Sequence, residues 1–223
     1  MSIQIQGNGG VVAEVDSNTR ALRSTLRPPD AGALGHYKLG VTSGIIPAAL
    51  AASSEIFQFR WSDATRICLI NRVRISAIVS TTFFAAGVPV QIDMVKSTAW
   101  SAAGTGGTAV TLAATVKKRT SMGSSVIPAG DIRIATTAAL GAGTKTLEAN
   151  SLGNILAPGP ITASLNGLII PPGTELWRSD MAAGEHPLAL VSSEGFSIRS
   201  VAVPATGTWQ ASVEVDWTEV TAY

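Results

Sequence analysis

A single cysteine, Cys68, excludes a framework of intrachain disulfides. It sits in a strand-like run and reads as a small buried hydrophobe. Charge is scarce as well, at 14% of residues, and nearly balanced, with 16 basic against 15 acidic side chains and a net of +1. That balance gives no bulk attraction to nucleic acid or to an anionic membrane, so neither is expected as a partner. Lys and Glu, the usual formers of surface helices, are few, which leans the chain towards β-structure. A soluble monomer ordinarily carries more charge than this, a sign of a protein whose faces are covered by neighbours. The longest apolar run, Ile45 to Ala52, is too short to span a bilayer and contains Pro47. The opening MSIQIQGNGG has neither a charged segment nor an apolar one of the kind that marks a signal peptide.

Catalytic motifs are also lacking. Gly141-Ala142-Gly143-Thr144-Lys145-Thr146 departs from a phosphate-binding loop because Thr144, not glycine, precedes Lys145 and no long helix follows. Gly104-Thr105-Gly106 lacks the strand–helix context of a dinucleotide site. His36 and His186 stand alone in sequence, apart from Glu185, which as a strand neighbour of His186 would point to the opposite face. No Gly-x-Ser-x-Gly elbow occurs. Glu214 and Asp216 would share one face of the last strand, about 7 Å apart. That spacing suits an inverting glycosidase, but nothing apolar beside them would raise one pKa, and they read as a solvated strand face. Lys117-Lys118-Arg119 reads as a solvated loop or strand end. No catalytic residue, cofactor or metal is expected, and the chain is not expected to be an enzyme.

What is there is period-2 patterning. Trp209, Ala211, Val213, Val215 and Trp217 alternate with Gln210, Ser212, Glu214, Asp216 and Thr218, which is the mark of a half-buried strand. Phe196 and Ile198 open the strand before it, and Pro204-Ala205-Thr206-Gly207 between them suggests a C-terminal hairpin. Phe57, Phe59 and Trp61 alternate with Gln58 and Arg60; Ile67, Leu69, Asn71, Val73, Ile75, Ala77 and Val79 form one face of a long strand. Val88, Val90, Ile92 and Met94 alternate too, with Pro89 marking an edge or a strand start. Leu165, Leu168 and Ile170 are expected in the core, and short strands are expected around Ile132, Trp177 and Leu188. With about eight to ten short strands, no helix-period segment and no fixed repeat, the expected fold is all-β. It is a two-sheet antiparallel sandwich of jelly-roll type over residues 41–223, with Trp209, Val213, Val215, Trp217, Phe57, Phe59, Leu69, Val73 and Ile75 in one core between the sheets.

Residues 1–40 differ. Glycines and Pro28-Pro29 break every local pattern, and large apolar residues are too few for a core. Arg20, Arg23 and Arg27 recur at spacings of three and four. The segment reads either as a loose terminus or as an extended arm that orders on a neighbouring subunit, its arginines meeting carboxylates there.

Three stretches resemble a known group of proteins: GNGGVVAEVDSNTRALR near the start, EIFQFRWSDATRICLINRVRIS in the centre, and GEHPLALVSSEGFSIR followed by ATGTWQASVEVDWTEV at the end. They are similar to virion proteins of tailed bacteriophages, commonly encoded among head and structural genes. The resemblance covers most of the chain and carries over no active-site residues. It implies a structural protein of the virion, assembled in the host bacterial cytoplasm, such as a capsid decoration or cement protein. Its partners would be the major capsid protein or other virion proteins, and jelly-roll virion proteins often form homotrimers. The second reading is a head-fibre, neck or tail component that binds a receptor or glycan, with Trp100 and Trp177 as the candidate aromatics.

Overall fold

The computed structural model describes residues 35–84, 88–112, 115–158, 167–180 and 185–221. Among these residues thirteen strands run in chain order: β1 His36–Thr42, β2 Ile46–Pro47, β3 Ser54–Trp61, β4 Ile67–Val79, β5 Val90–Ala102, β6 Thr108–Ala109, β7 Ile132–Ile134, β8 Thr144–Leu147, β9 Gly153–Ala157, β10 Leu168–Arg178, β11 Leu188–Leu190, β12 Glu194–Ala202 and β13 Thr208–Val220. They form two antiparallel sheets. One has the order β1-β13-β4-β10, with β11 also on β4 and β2 also on β13; the other has β6-β7-β3-β12-β5-β8, with β9 also on β5.

The principal strands make the architecture plain. In one sheet β1, β13, β4 and β10 lie side by side; in the other β3, β12, β5 and β9 do. Each of the steps β3 to β4, β4 to β5, β9 to β10, and β12 to β13 passes from one sheet to the other. The two ribbons β3–β4 and β12–β13 run antiparallel to each other and fold over together, because β3 pairs β12 while β4 pairs β13. This is a jelly-roll-like sandwich, the fold that the strand count and turn spacing lead one to expect.

The apolar faces do what period-2 patterning requires. Trp209, Ala211, Val213, Val215 and Trp217 of β13 are all buried, as are Phe57, Phe59 and Trp61 of β3. The sheets meet through rings: Phe59 lies edge-on to Trp217 with centroids 5.6 Å apart, Tyr37 stacks on Trp217 at 5.4 Å, and Phe196 stacks on Phe59 at 5.2 Å. Cys68 is free and buried, and burial pushes its thiol well up, with Glu219 adding to the effect.

Four expectations need correction. First, β12 and β13 are not a hairpin. β12 pairs β3 and β5, and β13 pairs β1 and β4. Alternation shows that each strand has an apolar face but not which sheet it joins; here the two faces oppose each other across the core. Second, the face of β4 is not continuous. The register moves from Asp216↔Arg72 to Trp217↔Ile70, so Asn71 is an extra residue. Beyond this bulge Cys68 and Ile70 face the inter-sheet core, and Leu69, though buried, lies opposite Thr218 on the other side. Third, Leu168 is 57% exposed, whereas Ile170 is buried. The strand between them and Thr174 carries two prolines and Gly173 at φ 81°, which break the register of an edge strand. Fourth, the sandwich starts at His36, inside the segment assigned to the arm, because Tyr37, Leu39 and Val41 alternate against Trp217, Val215 and Val213.

One glycine fixes a close approach. A Cβ on Gly195 would lie 2.2 Å from the Phe59 carbonyl oxygen and 2.8 Å from the Trp100 ring, so Trp100 packs flat on the outer side of β12 only because position 195 is bare. The aromatic contact between sheets is the larger energetic feature. Trp217→Ala removes a fully buried indole and is expected to lower the unfolding free energy by ~3–5 kcal/mol, read from urea denaturation followed by fluorescence.

Candidate partner-binding face

The outer side of the six-stranded sheet gathers residues from distant parts of the chain. Opposed pairs share a face, so the register places His36, Lys38 and Gly40 of β1 beside Thr218, Asp216 and Glu214 of β13, and these beside Arg72 and Arg74 of β4. Glu175 and Arg178 of β10 continue the rows. Residues 116–118 run along β1, with Lys38 N–H donating to the Val116 carbonyl and Lys118 N–H to that of His36. This brings the Lys118 ammonium over the sheet.

At the centre is Asp216, a buried carboxylate. His36 Nε2 lies 2.6 Å from its Oδ1, Lys118 Nζ 2.5 Å from its Oδ2, and Arg72 3.8 Å away. Lys118 is also 2.9 Å from His36 Nε2. A ring nitrogen accepting from Lys118 would turn its lone pair on the carboxylate, so the 2.6 Å contact assigns the proton to Nε2, donating to Asp216. The bulge at Asn71 completes the cluster: its amide donates to Thr218 Oγ1 at 3.0 Å and approaches His36 Nε2 at 3.4 Å. Burial raises the Asp216 pKa, but the hydrogen bonds and charges of His36 and Lys118 outweigh it, and the carboxyl is held down at about 2.

This geometry corrects three sequence readings. His36 is not solitary but bound to a carboxylate 180 residues away. Lys118 of the basic triplet is not a free surface charge. Glu214 and Asp216 share a face, yet only Glu214 is solvated, through an exposed pair with Lys38 at 2.9 Å that contributes little to stability. The face as a whole carries five cations, Lys38, Arg72, Arg74, Lys118 and Arg178, against three carboxylates, Glu175, Glu214 and Asp216.

At one end the same face turns apolar. Gln210 pairs with Ile78, and Ile78 with Leu168. Ile45, one residue before the Ile46–Trp209 pair, extends the row. Ile45, Ile78 and Leu168 are 41%, 37% and 57% exposed, and Phe83, at 44%, lies at the same end, where Thr81 and Thr82 N–H groups donate to Thr208 Oγ1. No sequence signal marked this strip, because it is assembled from four separate segments.

The outer side of the other sheet is different. Trp100, Lys145, Glu55, Gln58 and Ser197 lie there and are covered by the chain's own segments. Trp100, a candidate glycan platform in the sequence, is fully buried with its ring nitrogen donating to the Ala102 carbonyl at 3.0 Å. Trp177 is half-buried and donates to the Ile70 carbonyl at 3.3 Å. Arg20, Arg23 and Arg27 lie outside the described residues. Among the described residues no group of three or more His, Cys, Asp or Glu side chains could hold a metal. No family model, curated protein or solved structure matches the chain.

The depressed pKa of Asp216 makes an acid-side prediction. Its folded value, about 2, is below the ordinary 3.8, so its contribution is fully present above 3.8 and is lost as pH falls towards 2. Its magnitude is on the order of 2 kcal/mol. Asp216→Asn is expected to lower stability at neutral pH by that order and to flatten the fall between pH 4 and pH 2, measured by urea denaturation across pH. An unchanged acid slope in the variant counts against this assignment.

Proposed function

We propose that the protein is a non-enzymatic structural component of a phage virion, a capsid decoration or cement protein, and that the outer face of its six-stranded sheet is the side that meets the shell. The observation that carries the reading is the difference between the two outer faces. One is covered by the chain's own segments around Trp100 and Lys145 and leaves Leu156 exposed at its β9 edge, away from any grouped aliphatic strip. The other ends in exposed Ile45, Ile78 and Leu168, with a surplus of cations alongside. Exposed aliphatics beside a face of net positive charge suit a lasting contact with an acidic, partly apolar protein surface. The jelly-roll-like fold and the three stretches resembling tailed-phage virion proteins agree with this. So does the low overall charge, which suits a subunit working within an assembly.

In this reading the partner is the major capsid protein or a neighbouring virion subunit, the working state is a homotrimer, and Arg20, Arg23 and Arg27 add contacts to carboxylates on the partner. The head-fibre, neck or tail alternative, with a receptor or glycan as ligand, is less favoured because it relies on exposed aromatic platforms and Trp100 is buried.

Two measurements test the proposal. The copy number in purified particles is expected in the hundreds, as decoration of a whole shell requires; a dozen or fewer points to the neck or tail, and absence from particles overturns the reading. Ile78→Glu with Leu168→Glu replaces two exposed aliphatics and is expected to leave the urea midpoint nearly unchanged while weakening binding to undecorated capsids by more than about tenfold. Removal of residues 1–34 is expected to weaken attachment with the sandwich still folded.

A further inference from the structure

The covered part of the outer face of the seven-stranded sheet holds a group of side chains that a binding role does not use. A bulge in β3, between the pairs Ile198↔Phe57 and Arg199↔Glu55, puts Glu55 and Gln58 on the same side, and Ser197 of β12 sits directly opposite Gln58. Lys145 reaches in from β8, on the far side of β5. Its side chain is only 2% exposed, and its ammonium lies 3.9 Å above the Trp100 ring. Three donors converge on one atom, Glu55 Oε2: Lys145 Nζ at 2.5 Å, Gln58 Nε2 at 2.5 Å and Ser197 Oγ at 2.9 Å. The amine and the carboxamide nitrogen are therefore at most twice that shorter distance apart. Gln58 Nε2 also donates to the Gly141 carbonyl at 3.0 Å, whereas Gln58 Oε1 is buried with no hydrogen-bond partner among the described residues. A buried carbonyl oxygen without a donor is uncommon and asks for an explanation.

The geometry points to a covalent cross-link: an isopeptide bond between Lys145 Nζ and Gln58 Cδ, formed by the protein itself with Glu55 as proton carrier. The balance is simple. The Nζ–Cδ bond forms, the Cδ–Nε2 bond breaks, and one ammonia leaves; nothing is oxidised or reduced and no co-reactant is needed. A proton has to leave the Lys145 ammonium to free the nitrogen lone pair, and Glu55 Oε2, 2.5 Å away, is placed to receive it. Burial is the largest influence on the Lys145 pKa and lowers it, against the hydrogen bond and charge of Glu55. The amine then adds to Cδ and negative charge gathers on Oε1; Glu55, once it has given its proton to Nε2, takes the second proton from Nζ, and the charge on Oε1 returns to the carbonyl as ammonia leaves. Glu55 Oε2 already touches Nε2 and delivers the proton that lets ammonia depart. Fixed neighbours in a dry site supply a high effective concentration for a reaction that is negligible between free lysine and glutamine in water.

The bond would tie central strand β3 to β8 at the sheet edge. It is independent of the proposed virion role, since a cross-linked sandwich serves any function.

The mass of the full-length denatured protein, after allowing for removal of the initiator methionine, decides the matter. The expected mass is one ammonia below that of the sequence. Trypsin should then fail to cut after Lys145 and release a branched peptide joining the segments that contain Gln58 and Lys145. Glu55→Gln, close in shape, and Lys145→Arg, which keeps the charge, should each restore the full mass. If neither variant folds, the wild-type mass and the branched peptide still decide. A wild-type mass equal to that of the sequence after prolonged incubation, with cleavage after Lys145, overturns the proposal. So does a loss of water, which would mean a Lys145–Glu55 amide, or a hydroxylamine-labile link, which would mean an ester to Ser197.

Discussion

The contact on which the rest of the structure depends is the edge-on meeting of Phe59 and Trp217 between the two sheets. Each ring belongs to a ribbon that folds from one sheet to the other, β3–β4 and β12–β13. Tyr37 and Phe196 extend the contact into each sheet by stacking. Holding these rings together fixes which faces of four long strands turn inward, because a shift of one residue would turn every side chain to the opposite side. The outer faces are thus set by what the inner faces must bury.

That dependence explains what could be read in the sequence and what could not. The limits of β4 at Ile67 and Val79 and the inward residues of β13 follow from alternation alone, since burial of one face is a local demand. Pairing partners do not follow. β12 and β13 read as a hairpin because a sheet-to-sheet arch uses the same turn residues as a hairpin. The bulge at Asn71 has no sequence mark either: Leu69 and Ile70 are both aliphatic, so either could have faced the core. The two ionic clusters were invisible for a related reason. His36 and Asp216 are separated by 180 positions, and Lys145 and Glu55 by 90, and only the sheet order makes them neighbours.

The use of charge gives a further constraint. Among the described residues five carboxylates, Glu55, Asp93, Asp131, Asp216 and Glu219, are buried. Asp93, Asp131, Asp216 and Glu219 each have a cation within 3.0 Å, and Glu219 also accepts from Ser125 Oγ at 2.6 Å. Removing one partner of such a pair leaves an uncompensated buried charge, which costs more than the intact pair contributes. These clusters therefore act mainly as locks on specificity. Glu219 holds Arg66 and the loop at Ser125 to the end of the core; Asp216 holds residues 116–118 along β1.

Charge fixed in this way is charge not available to solvate the surface. With 14% of residues charged and five carboxylates buried among the described residues, little carboxylate remains to keep the outer face of the six-stranded sheet hydrated. There the cations outnumber the carboxylates, and the far end is left to Ile45, Ile78 and Leu168. In an isolated molecule such a face gains nothing from its composition. Against an acidic, partly apolar neighbour both features become favourable at once, the surplus cations through complementary charge and the aliphatic strip through removal from water. The low charge noted in the sequence and the uneven outer faces found in the structure are thus one property, and the proposed place of this chain in an assembly rests on it.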